Sequence, residues 1–179
     1  PSPISIANLF AANSNIEKTL YFWRKKASAS YSEVSPSGYA TYTPIMGLVS
    51  ADVSITGSPT NIETGQGFFV VANSASPGNL TFTNPMRNSG AAIFYKGATN
   101  ATNELHRIWL NLSTANVVVG QTLIGYATGA TSGIDNGYDA AYFNDSSMAL
   151  TSLIDGAEYA IQGLGLPFDA TSSVALGFK

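Results

Sequence analysis

Residues 65–87 read GQGFFVVANSASPGNLTFTNPMR. Two runs rich in β-prone residues, 68–72 and 79–83, are joined by a link of Ser, Ala, Pro and Gly, the pattern of two strands around a tight turn. Phe68, Phe69, Val70 and Val71 are apolar on both alternations, as in a strand covered on two faces. Leu80 and Phe82 alternate with Thr81 and Thr83, as in a strand with one face in the core and one in water. Gly65 and Gly67, on either side of Gln66, let the backbone bend or approach a neighbour where a Cβ would clash. The stretch predicts a strand pair at the centre of an all-β fold.

Outward from it, the chain repeats the same grammar. Residues 5–13 are the exception and predict one short helix of about two turns. There Ile6, Leu9 and Phe10 recur at spacings of three and four, Ser5 can cap the start, and Asn13 and Asn15 can close it. Residues 19–24 (TLYFWR) and 39–43 are β-prone runs able to pair with each other, and 44–60 hold short extended pieces around Met46, Leu48, Val53 and Ile55. Further strands are expected at 91–95, 104–113, 117–126, 140–143, 149–154, 158–162 and 174–178, with 129–137 as loop. In 104–113 the set His106, Ile108, Leu110 and Leu112 is read as the inward one. About ten short strands at 8 to 12 residue spacing predict an antiparallel β-sandwich of the jelly-roll kind, with Phe69, Phe82, Ile108, Leu110 and Ile161 facing the inter-sheet space.

Composition narrows the function classes. With 179 residues the chain forms one core, a single module over 1–179. Pro1 is not an initiator and the final VALGFK reads as part of a strand, so the module is expected to be a piece of a longer secreted protein. Charged residues make up 11%, against roughly 25% in an average domain, and Ser, Thr, Asn and Gly carry the polarity, which suits an extracellular sheet surface. A net charge of −3 argues against nucleic acid, which needs clustered Lys and Arg. The basic triplet Arg24, Lys25 and Lys26 reads as a solvated strand edge. The absence of cysteine removes disulfides and thiolate metal sites, and no run reaches the ~18 to 20 apolar residues of a membrane helix.

Three constellations bear on chemistry. His106, the single histidine, could be written into a Ser-His-Asp triad, but no GxSxG elbow surrounds any serine, and a lone strand histidine is ordinarily a surface or packed residue. A facing carboxylate pair for glycoside hydrolysis can be drawn from the 11 acidic residues without any pattern singling one out. No catalytic residue is assigned. The loop GIDNGYDA, with Asn144 and Asp145 just beyond, offers Asp135, Asn136, Asp139 and Asp145 as oxygen ligands for calcium, without the spacing of an EF-hand. Its competing reading is an Asx-rich turn whose side chains bind their own backbone. Calcium is therefore a candidate ligand and no cofactor is required. Among the aromatics, Trp23, Tyr39, Tyr42 and Tyr138 are candidate sugar-stacking residues, while the sandwich core is the expected place of Trp23 and Trp109. NxS/T triplets begin at Asn79, Asn100, Asn111 and Asn144; the pattern is common in chains of this composition.

The ordered words GQGFFV, FTNPMR, RIWLNL, IGYATGATSGIDNGYDAAYF, YAIQGLGLPFD and VALGFK, preceded by PSPISIANLF and LYFW, resemble a segment near the C-terminal end of large surface proteins of gliding Bacteroidota exported by the type IX secretion system. The resemblance covers nearly the whole chain and lies in the order of the set. It implies a β-sandwich module upstream of a sorting domain, at the outer surface or outside the cell, and it brings no catalytic residues. The expectation is a non-catalytic structural or adhesion module, with adjoining domains and surface glycans as partners. A carbohydrate-binding module of a secreted enzyme is the second reading, and the enzyme itself the third.

Overall fold

The computed structural model describes residues 2–23, 39–50, 58–88, 104–115, 117–143 and 148–179. β1 (Ile4–Ser5) runs into α1 (Ile6–Ala12), where Ser5 caps the start by accepting from the Asn8 backbone N–H at 3.4 Å and Ile6, Leu9 and Phe10 are buried. β2 (Leu20–Trp23), β3 (Tyr39–Thr43), β4 (Gly47–Val49), β5 (Asn61–Ile62) and β6 (Phe68–Phe69) follow, then a 3₁₀ turn at Asn84–Met86. β7 (Leu105–Thr114), β8 (Val117–Ala127), β9 (Ala140–Ala141), β10 (Leu150–Ile154), β11 (Ala157–Gly165) and β12 (Leu176–Phe178) complete the order. The smaller sheet runs β4-β3-β2-β6 and the larger β12-β10-β11-β8-β7, with β9 also on β11; β1 and β5 form a separate pair. Apart from β8 with β11, these pairs are antiparallel. The chain is thus an all-β sandwich with one short N-terminal helix.

Register decides what each face does, because side chains alternate along a strand and opposed residues share a face. On the smaller sheet Leu20 lies opposite Tyr42, Phe22 opposite Ala40, and Tyr42 opposite Leu48. These side chains join Ile6, Leu9, Phe10, Ile16, Ile62 and Met86 in one core under the helix. The other face carries Tyr21, Thr41, Val49 and, at its margin, Trp23, Tyr39 and Phe69. Val49 and Met46 meet Leu123, Ala127, Ala140 and Ile161 of the larger sheet in a second core. Met46 fits there because Gly125 and Gly163 lack side chains: a Cβ on either would sit within 3 Å of its sulfur or methyl. Gly120 faces main chain instead of a flexible side chain, since its Cβ would meet the Leu150 backbone nitrogen at 2.8 Å. Gly120→Ala is expected to lower stability by ~1 to 3 kcal/mol, measured by urea denaturation, because backbone cannot swing aside as a methionine can.

The predicted central hairpin does not form. β6 is two residues long and pairs with β2, Phe22 opposite Phe68 and Tyr21 opposite Phe69. Beyond it the chain stays beside residues 15–17: Glu17 N–H donates to Val71 O at 2.9 Å and Asn73 N–H to Asn15 O at 2.8 Å. Among the described residues no strand pairs with 79–83, and a side chain bonds to its backbone instead. Asn13 accepts from Thr81 N–H at 2.7 Å and donates to Thr81 O at 2.9 Å, imitating a neighbouring backbone amide. Leu80 still packs on the first core, but Phe82 points outward at 52% exposure and Phe69 at 50%. The turn between them is correctly placed, with Ser76 N–H bonded to Asn73 O and Ala75 N–H to the Asn73 side chain.

β7 has the predicted span and the opposite facing. Arg107 Nη1 donates to Met46 O at 3.2 Å and Trp109 Nε1 to Leu48 O at 3.2 Å, so this set addresses the smaller sheet. Ile108 and Leu110 lie on the far face, Ile108 exposed and Leu110 half-buried, beside Ile124 and Thr122. Trp23 and Trp109, both expected in the core, are exposed as well. Strand alternation fixes two faces without naming the inner one when both carry apolar residues. Ile161 is fully buried as predicted. The predicted strand at 91–95, the Arg24, Lys25 and Lys26 triplet, and Val53, Ile55, Asn100, Asn144 and Asp145 lie outside the described residues. No helix among the described residues is long and apolar enough to cross a membrane.

Candidate functional site

At the margin of the smaller sheet four aromatic side chains meet. Trp23 packs edge-on against its cross-strand partner Tyr39, centroids 5.0 Å apart at 69°. Tyr39 in turn meets Phe69 at 5.8 Å and Phe143 at 5.1 Å, both edge-on, and Phe69 and Phe143 are 5.4 Å apart. Beneath them is Tyr21, buried, 4.9 Å from Phe143, its hydroxyl donating to Ala141 O at 3.1 Å. Burial, with Glu17 and Tyr159 adding to it, pushes the Tyr21 hydroxyl well above its ordinary range, so it remains a donor tying β2 to β9. The cluster is held by β2, β3 and β6 on one side and by the chain leaving β9 on the other. Trp23 is 56% exposed, and Phe69 and Phe143 are exposed too.

A cleft opens beside this cluster, bounded by Tyr39, Thr41 and Val49 of the smaller sheet and by Val119, Gly120 and Leu150 of the larger. Its volume is about 20 Å³. That is room for a water molecule and far below the ~300 to 1,000 Å³ of sites that enclose small molecules. Contact at this face is therefore with the aromatic rim rather than inside a cavity.

Of the four aromatic candidates, the structure brings Trp23 and Tyr39 together. Tyr42 is on the reverse face of the sheet, buried in the first core. Tyr138 is half-buried against the second core and its hydroxyl donates to Thr128 O at 3.0 Å. Phe69 and Phe143 belong to the cluster although no sequence motif marks them; the signal is cross-strand register, which places Phe69 opposite Tyr21.

In the acidic loop the described candidates turn inward. Asp135 accepts from Thr131 N–H at 2.5 Å, and Asn136 from Lys18 N–H at 2.7 Å. Asp139 is buried, accepting from Asp135 N–H and Gly163 N–H, both at 2.6 Å. Burial pushes the Asp139 carboxyl up to about 6; the two backbone hydrogen bonds oppose the shift and Asp135 adds to it. These oxygens act as staples between loop and sheet, and among the described residues no group of three or more His, Cys, Asp or Glu side chains is placed to hold a metal ion. His106 lies on the exterior face of β7, its Nε2 2.7 Å from Glu104 Oε1, with both side chains exposed.

Comparison with curated proteins and with solved structures returns no match. The model of a family described as Domain of unknown function (DUF8693) matches residues 1–179, so the chain belongs to that family.

Proposed function

We propose that this domain is a non-catalytic, extracellular structural and adhesion module of a large bacterial surface protein, and that the Trp23, Tyr39, Phe69 and Phe143 face makes its contact. The observation that carries the reading is this cluster: three exposed aromatics gathered on one rim around Tyr39. Contiguous exposed apolar area on a folded domain marks contact surfaces, and aromatic residues supply much of the energy at such places. The narrow cleft favours surface contact over turnover of an enclosed substrate. The extracellular setting and export by the type IX route rest on the ordered sequence words, and adjoining domains of the parent protein are the expected permanent partners.

Carbohydrate binding is the second reading, favoured by the exposure of the Trp23 ring. A sugar stacks on a ring face, whereas the contacts of Tyr39 with Trp23, Phe69 and Phe143 are edge-on at 68° to 76° and form no flat platform. Sugar contact would therefore fall mainly on Trp23, and would gain strength only through repeated modules.

Retention of the purified domain on hydrophobic beads and on glycan-coated beads tests this. Trp23→Ser with Phe69→Ser is expected to weaken retention on hydrophobic beads by about tenfold or more, the loss expected when an aromatic anchor worth ~2 kcal/mol is removed. Retention unchanged by the double substitution would remove the aromatic face from the proposal. Saturable binding to one glycan, lost in Trp23→Ser alone, would favour the carbohydrate reading; turnover of any polysaccharide would overturn the non-catalytic one.

A further inference from the structure

β7 ends the larger sheet, and its ten residues set it apart from the other sheet edges. β12 and β4 have three residues each and β6 has two. A strand edge presents unpaired N–H and C=O groups, and natural sheets guard them by keeping the edge short, by Lys or Pro, by bulges, or by a covering segment. The three short edges use the first device. β7 has no Lys and no Pro, and the register shift at Leu112/Ser113 leaves the extra residue, Val119, on β8 and not on the edge strand. His106, Arg107, Ile108 and Trp109 are all exposed, and among the described residues no strand pairs with its far side.

The side chains on this edge indicate what would pair with it. Ile108, Leu110 and Leu112 form an apolar row on the face turned away from the smaller sheet. The Arg107 guanidinium is directed onto its own domain, bonded to Met46 O and 5.5 Å from the Trp109 ring centroid. From Ile108 to Thr114 no side chain carries a charge.

We propose that β7 pairs antiparallel with β7 of a second copy of this chain, across a two-fold axis at Leu110, joining the two larger sheets into one. In that register Leu110 opposes Leu110 and Ile108 opposes Leu112 on both sides of the axis, so the apolar row continues across the seam. On the other face Trp109 opposes Asn111 and Arg107 opposes Ser113. No like charges face each other, which matters for chains that each carry −3. With the axis at Trp109 instead, His106 would oppose Leu112 and the row would be interrupted. A two-fold contact of this kind closes on itself and leaves no exposed long edge, whereas a head-to-tail contact would propagate.

Sedimentation velocity over a concentration series, combined with amide hydrogen exchange, tests the pairing. The expected result is a monomer–dimer equilibrium in which amides on the outer side of residues 105–114 exchange faster on dilution. Leu110→Lys sets two ammonium groups against each other at the axis and is expected to raise the dissociation constant by about tenfold or more. A chain that stays monomeric up to its solubility limit overturns the proposal, as does a dimer unaffected by Leu110→Lys. If that substitution unfolds the protein, exchange in the unaltered chain decides: dimerisation without protection in 105–114 also overturns it.

Discussion

Phe22→Ala is expected to cost ~3 to 5 kcal/mol, and Phe82→Ala no more than ~1 kcal/mol, although both are phenylalanines in β-prone runs. Phe22 is 1% exposed and packs with Leu9, Phe10, Leu20 and Met86, so truncation removes its transfer energy and leaves a cavity among side chains held by helix and sheet together. Phe82 already has half its surface in water, and its backbone neighbour Thr81 is held by Asn13 whatever the side chain at 82. For a domain of this length the Phe22 loss corresponds to a fall in Tm of about 6 to 20 °C. Thermal melts of the two variants check the contrast. Equal destabilisation would mean that residues 79–83 contribute a buried strand, against the exposure seen here.

Most of the fold was legible, and the exceptions share a cause. The helix, β2, β3, β7, β8, β10 and β11 fall within a few residues of their expected positions because each is long enough for its periodicity, caps or flanking turns to speak locally. The stretch at 65–87 misled because its evidence was also local, while its partners are not. Phe68 and Phe69 pair with β2, about 46 residues earlier in the chain, and Thr81 is taken by a side chain from the N-terminal region. Nothing in an alternating pattern states which neighbour satisfies its amides. The facing of β7 failed similarly: Arg107 looked like the solvent side, yet its long stem lets the guanidinium reach Met46 O across the inter-sheet gap. At the candidate site Trp23 and Tyr39 were named from residue type alone, and their adjacency required the register of β2 with β3. Phe143 required the path of the chain after β9, which no spacing records.

The acidic loop gives a prediction whose sign depends on pH. Asp139→Ala removes the acceptor of two backbone N–H groups, Asp135 and Gly163, and buried donors left unpaired cost ~1 to 3 kcal/mol each, so ~2 to 6 kcal/mol is expected near pH 4. At pH 7 the expected loss is smaller. The Asp139 carboxyl is pushed up to about 6 in the folded chain from an ordinary value of 3.8, so the folded state holds its proton more tightly than the unfolded state. That difference adds stability that is fully present below about pH 4 and is lost as pH rises through about 6, some ~2 to 3 kcal/mol between pH 4 and 7. Glu17 is also raised by burial and contributes with the same sign, but it is unchanged by the substitution and cancels in the comparison. Urea denaturation of both proteins at pH 4 and pH 7, with chelator present, should therefore show the smaller difference at pH 7. A gap that widens from pH 4 to pH 7 would mean that Asp139 is stabilised as a charge. Calcium added at pH 7 separates one route to that outcome: a cation bound by Asp135 and Asp139 would raise the Tm of the unaltered chain and leave the Ala variant where it was. With Asp135 Oδ2 and both Asp139 oxygens already bonded to the Thr131, Asp135 and Gly163 amides, the expected result is no calcium-dependent shift in either protein.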